Sequence, residues 1–218
     1  MEKGQSSDFE VDSRDLHLQS KVRSLRIVDN ARCGATALAL LMSITILGVS
    51  ANTLSVYDYT HVPSTFMLPL WPDEFNIRPT VSLVIGSVII ILTNVASLCF
   101  SKVQSLRSKT VTHTSTTFIA PLIGLAASLI AIIFFYAVNA SEQVDTFLSW
   151  TCRWQHVPMT TQPNWGTLCS QSRTGLYLAI LLIPVEAIAL GLAGFQLKVE
   201  KYTDSYANAA RKGSPSLH

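Results

Sequence analysis

The chain has 218 residues, 49% of them hydrophobic and 14% charged, with a formal net charge of +2. Soluble domains average about 25% charged residues, so this composition argues against a soluble enzyme or a disordered chain. So small a net charge gives no reason to expect a nucleic-acid partner.

The apolar excess is gathered into four blocks, Cys33–Ala51, Thr80–Phe100, Thr117–Val138 and Gly175–Leu197, whose one charged residue is Glu186. Each is long enough to cross a ~30 Å hydrocarbon core at ~1.5 Å per residue. The pattern predicts an all-α polytopic membrane protein, a four-transmembrane-helix bundle with both termini cytoplasmic. Its parts are an N-terminal segment (1–32), a membrane domain (33–197) with outer loops 52–79 and 139–174, and a tail (198–218). The first thirty residues hold no apolar core of a secretory signal, so the first block is expected to act as an uncleaved span.

Charge sets the orientation. Lys3, Arg14, Lys21, Arg23, Arg26 and Arg32 precede the first span. Lys102, Arg107 and Lys109 lie between the second and third, and Lys198, Lys201, Arg211 and Lys212 follow the fourth. The two longer loops hold only Arg78, Arg153 and Arg173. That asymmetry puts the termini in the cytoplasm, in the plasma membrane or a secretory-pathway membrane.

In chain order, Leu18, Val22, Leu25 and Val28 recur at helical spacing, with Lys21, Arg23 and Arg26 off the stripe. This predicts a short basic amphipathic helix resting on the bilayer and contacting anionic inner-leaflet lipids. In the first outer loop, Pro63, Pro69 and Pro72 forbid a continuous helix around Phe66–Trp71. Phe66 and Trp71 are expected at the headgroup layer or in a partner surface, with Tyr57 and Tyr59 nearby. The linker Ser101–Ser115 is basic and hydroxyl-rich, a candidate for phosphorylation.

The second outer loop carries Cys152 and Cys169, expected to form a disulfide in an oxidising compartment. A metal site using His156 has too few ligands for zinc. Trp150, Trp154 and Trp165 surround the pair, as a packed cap or a partner surface. Asn139-Ala140-Ser141 is a glycosylation sequon by letters, set against the end of span three and discounted for that reason.

Within the spans, small residues recur four apart: Ala35, Ala39 and Ser43, then Ala120, Gly124 and Ser128. Such ridges let helices approach closely where lipid removes the hydrophobic driving force. Glu186, two residues after Pro184, falls in the middle of span four, where an ionised carboxylate costs at least ~2.5–3.5 kcal/mol. No basic residue shares its depth, so it is expected to be protonated and to donate to Ser or Asn. Matching the spans by their centres puts Ser128 and Ser43 level with Glu186, and Asn94 about 6 Å away. Glu186 is then either a structural fastener or part of a proton path. No CxxC, HExxH, intramembrane aspartate pair or His-rich motif occurs, so no catalytic residue, metal or cofactor is expected.

Four spans, cytoplasmic ends, a basic N-terminal helix and a cysteine pair confined to the second outer loop resemble MARVEL-type tetraspan proteins, including their occludin-like members. Tetraspanins differ by a Cys-Cys-Gly motif, and claudins by cysteines in the first loop, where Asn52–Pro79 has none. Leu68-Pro69-Leu70-Trp71-Pro72 and Phe75-Asn76-Ile77-Arg78-Pro79 also look like segments of four-span proteins of filamentous fungi. The resemblance implies a non-enzymatic role in organising membrane domains or partner proteins, through membrane-protein partners or self-association. The alternative expectation is a small transporter, or an accessory subunit of one, that uses Glu186.

Overall fold

The computed structural model describes residues 13–61, 70–102, 110–140 and 144–212. Its elements in order are α1 (Ser13–Thr60), β1 (Phe75–Asn76), α2 (Arg78–Lys102), α3 (Thr110–Asn139), β2 (Asp145–Thr146), α4 (Phe147–Arg153) and α5 (Trp165–Lys212). Among the described residues, four helices are long and apolar enough to cross a membrane: Arg26–Thr60, Arg78–Phe100, Phe118–Asn139 and Trp165–Val199. Helices α1, α2, α3 and α5 contain the four predicted spans.

α1 packs on α2 and α5, α2 on α3, and α3 on α5, which closes a ring of four. The buried positions of α1 are Arg32, Thr36, Ala39, Ser43, Ile46, Ser50, Thr53 and Val56. Those of α2 are Thr80, Leu83, Ser87, Ile90, Asn94 and Ser97, and α5 follows with Ala179, Leu182, Glu186, Ala189, Ala193 and Gln196. Steps of three and four alternate along each series until two threes end that of α1, an average of about 3.5 that keeps one seam facing its neighbours and favours left-handed winding. The seam is small and polar, whereas large apolar side chains such as Leu41, Leu92, Ile130, Ile133 and Ile188 face outward. That inside-out distribution suits lipid as the surrounding solvent.

β1 and β2 pair in parallel, Phe75 with Asp145 and Asn76 with Thr146, joining the α1–α2 connection to the α3–α4 connection. One end of the bundle is thereby capped, and Ser13 and Lys212 lie toward the other, terminal end. Thr146 begins α4 with a capping box: its hydroxyl accepts from the Ser149 N–H, and Ser149 Oγ accepts from the Thr146 N–H. The predicted disulfide is present, with Cys152 of α4 bonded to Cys169 of α5.

Two sequence expectations need correction. The basic segment is not a short separate helix, because Ser13–Thr60 is continuous. No Gly or Pro interrupts residues 13–33, and Arg32 pairs with Asp29 at 2.8 Å across the expected junction. Arg23 and Arg26 are exposed; the side chain of Lys21 lies outside the described part. The outer loops are also shorter than expected, since α1 runs through residues 52–60 and α5 starts at Trp165. These stretches are polar enough to escape a hydropathy window, yet Thr53, Val56, Leu168 and Cys169 continue the buried seam.

The disulfide closes a separation of 17 residues, which in the chain-entropy model corresponds to about 3 kcal/mol. Reducing it, or substituting Cys169→Ser, is expected to lower the thermal unfolding temperature of the purified protein. Unfolding followed by tryptophan fluorescence with and without reductant measures this, and identical curves would contradict it.

Candidate buried polar site

Glu186 is fully buried (0% exposed) on the seam of α5. Asn94 of α2, also buried, donates from Nδ2 to Glu186 Oε1 at 3.0 Å. On the third side the carboxyl lies against Gly124 of α3, where an added Cβ would stand 2.8 Å from Glu186 Cδ. The glycine is thus required for close approach, and its backbone floor faces the flat carboxyl group directly. Oε2 has no hydrogen-bond partner among the described residues.

Matching the spans by their centres misplaced these partners. Asn94 touches Glu186 instead of lying a turn away, because α1 and α5 extend further toward the capped end than the block boundaries implied. The bond also runs opposite to the expected sense, from the amide to the carboxyl. Ser43 and Ser128 share the buried seam, but their hydroxyls donate to their own helices, to Ala39 O at 2.6 Å and Leu125 O at 2.9 Å. Such back-bonding is the usual state of a helical serine. Gly124 was visible in the sequence as part of a small-residue ridge; its contact with one particular side chain was not.

The aromatic residues of the outer loops divide into two groups. Trp71 and Trp165 are 3% and 6% exposed, so they form the core of the cap and are not interfacial surfaces. Their rings meet at 5.1 Å, and Phe147 meets Phe75 at 4.8 Å, each edge to face. Such pairs add about 0.5–1.5 kcal/mol beyond area burial. Trp71 Nε1 donates to Thr60 Oγ1 at 3.0 Å, so the end of α1 helps hold the cap. Trp150 is half-buried with Arg153 at 5.7 Å from its ring, and Trp154 is exposed. Phe66 lies outside the described residues.

Asn139 Nδ2, the atom a glycan would take, donates to Phe135 O at 2.9 Å. Its Oδ1 accepts from Thr146 Oγ1, so the sequon serves as a clasp between α3 and α4.

No protein-family model, curated protein or solved structure matches the chain.

Gly124→Ala should destabilise the bundle by about 1–3 kcal/mol, the cost of overpacking a filled site. Gly191→Ala, with nothing within 4 Å of its added Cβ, should be tolerated. Combining Gly124→Ala with Glu186→Ala should recover part of the loss, because the methyl then meets space and no carboxyl. Thermal unfolding in detergent distinguishes these; equal effects of the two glycine substitutions would refute the contact.

Proposed function

We propose that this protein is a non-enzymatic multi-pass membrane protein that organises membrane domains or partner proteins. Both termini are cytoplasmic, in the plasma membrane or a secretory-pathway membrane. The construction of the capped end carries this reading. Two connections, a disulfide and a cluster of buried rings make a preorganised platform, and such rigidity reduces the entropy lost on binding. On its rim, Trp154 (42% exposed) and Val157 (43% exposed) stand on one tight turn, closed by Val157 N–H to Trp154 O at 3.0 Å. Exposed apolar side chains on an ordered turn suit a membrane-protein partner or a second copy of the chain. Arg23 and Arg26, exposed near the terminal end, suit anionic inner-leaflet lipid. The topological resemblance to MARVEL-type proteins supports the same role.

A second reading, a small transporter or an accessory subunit of one, is favoured by a single observation: Glu186 is buried with one oxygen unpartnered.

The test is the lateral distribution of a fluorescently tagged full-length protein in its native membrane. Trp154→Ala with Val157→Ser should disperse clusters while thermal stability stays unchanged. Loss of an interface anchor is typically worth about 2 kcal/mol, some thirtyfold in association constant. Unchanged clustering, or solute flux through the wild-type protein in otherwise empty liposomes, would sink the organising role.

A further inference from the structure

We propose that a groove beside the cap, between the last turns of α1 and the segment 159–164 that leads into α5, binds an uncharged sugar. The ligand class is a mono- or disaccharide, free in solution or carried as the headgroup of a glycolipid. The groove shares no residue with the surroundings of Glu186 or with the Trp154–Val157 turn, so it stands or falls apart from both readings above.

The groove has a volume of about 340 Å³, within the range of about 300–1,000 Å³ that small-molecule sites occupy. Val56, Met159 and Leu168 make an apolar floor, and all three pack with the ring cluster of the cap. Asn52, Thr160, Thr161, Gln162, Asn164 and Thr167 make the polar walls. No Asp, Glu, Lys, Arg or His is among the lining residues.

The walls offer both senses of hydrogen bond. Asn52 Nδ2 donates to Gln171 Oε1 at 2.9 Å, which leaves Asn52 Oδ1 to accept. Asn164 Oδ1 accepts from the Thr167 N–H at 3.2 Å, which leaves Asn164 Nδ2 to donate. Thr160, Thr161 and Thr167 add hydroxyls that do either, and Gln162 adds both halves of an amide. A sugar matches this set, because each of its hydroxyls donates and accepts while its C–H faces suit the apolar floor. A phosphate or carboxylate would find no cation here, and an ammonium no carboxylate. A sterol would set hydrocarbon against most of the polar wall. A peptide strand binds through a free row of main-chain groups, whereas the start of α5 commits its own, Thr167 N–H to Asn164 Oδ1 and Leu168 N–H to Asn164 O at 3.0 Å.

The groove is also preformed. Pro163 and Trp165 are buried on either side of Asn164, and Cys169, next to Leu168, is bonded to Cys152. Filling so constrained a site costs little chain entropy. Its depth suits a sugar at the membrane surface. Asn52 directly follows the apolar block that ends at Ala51, and Val56 is five residues past it, about 7.5 Å along the helix. On α5, Thr167 stands eight residues before the block that begins at Gly175, about 12 Å. Where those blocks cross a bilayer, the groove opens at and just beyond the headgroup layer, within reach of a glycolipid sugar and of a sugar in water.

The experiment uses the full-length protein in phosphatidylcholine nanodiscs, since alkyl-glycoside detergents would themselves supply a sugar. The probe is glucosylceramide carrying a diazirine on its glucose ring, and mass spectrometry locates the photo-adducts. Adducts are expected on residues 52–56 and 159–168. Asn164→Asp should lower them about three- to tenfold, the effect of one lost hydrogen bond. The new carboxylate keeps the helix cap and removes only the Nδ2 donor, so thermal unfolding should not change. If that variant does not fold, Thr161→Val removes an exposed hydroxyl from the same wall and should act in the same direction. Excess maltose separates the two sources of sugar. Protection by maltose marks a site open to free sugar, and protection by unlabelled glucosylceramide alone marks a headgroup site; either result supports the proposal. Protection by neither, even where an uncharged peptide protects, overturns it. So do adducts absent from both stretches, equal adducts from a ceramide probe lacking the sugar, or unchanged labelling in a folded variant.

Discussion

The bundle turns its large apolar side chains outward and its small and polar ones inward, a distribution that suits surroundings as apolar as the helices themselves, where no hydrophobic driving force would hold them together. Association must then come from close packing and from polar groups that have nowhere better to go. The seam meets both demands at the same positions. On α1 and α2 serine and threonine hydroxyls alternate with alanine, leucine and isoleucine at steps of three and four, and those of Thr36, Ser43, Thr53 and Ser87, with Ser128 of α3, bond back to their own helices. Gly124 takes this to its limit by giving up a side chain altogether, so that the buried carboxyl of Glu186 can lie against α3.

The cap obeys different physics. There, large rings do what small residues do along the seam. Tyr57, Trp71, Phe75, Phe147 and Trp165 come from four separate stretches of chain; Tyr57 stacks on Phe75, and the other pairs meet edge to face. The two-residue pairing of β1 with β2 is too short to be stable alone. It holds because the rings beneath it, the capping box of α4 and the Cys152–Cys169 bond fix both partners.

Spans, their number and the disulfide were legible because each leaves a one-dimensional trace: apolar runs of about twenty residues, and two cysteines in one loop. Helix ends were not, since Asn52–Thr60 and Trp165–Thr174 mix polar and apolar residues and only the seam spacing marks them as helical. The burial of Trp71 and Trp165 was hidden for a related reason. An aromatic residue near an apolar block reads the same whether it anchors in headgroups or packs against a ring far along the chain, as Trp71 does against Trp165. For the central site, Glu186, Asn94 and the small-residue ridge containing Gly124 were each visible in the sequence, with nothing to join them. Their convergence depends on the rotation and vertical offset of three helices, which an average over span centres cannot recover.

The β1–β2 pairing ties residues on either side of an intervening helical hairpin, so it has a bearing on assembly order. Phe75 cannot meet Asp145 until α2 and α3 stand side by side, and the ring cluster cannot close until α5 brings Trp165. The cap is therefore a late-closing latch: its completion requires all four long helices to be correctly neighboured. A chain stalled halfway would leave Trp71 and Phe147 uncovered, and transiently exposed apolar surface of that kind is what makes incompletely folded chains prone to aggregate.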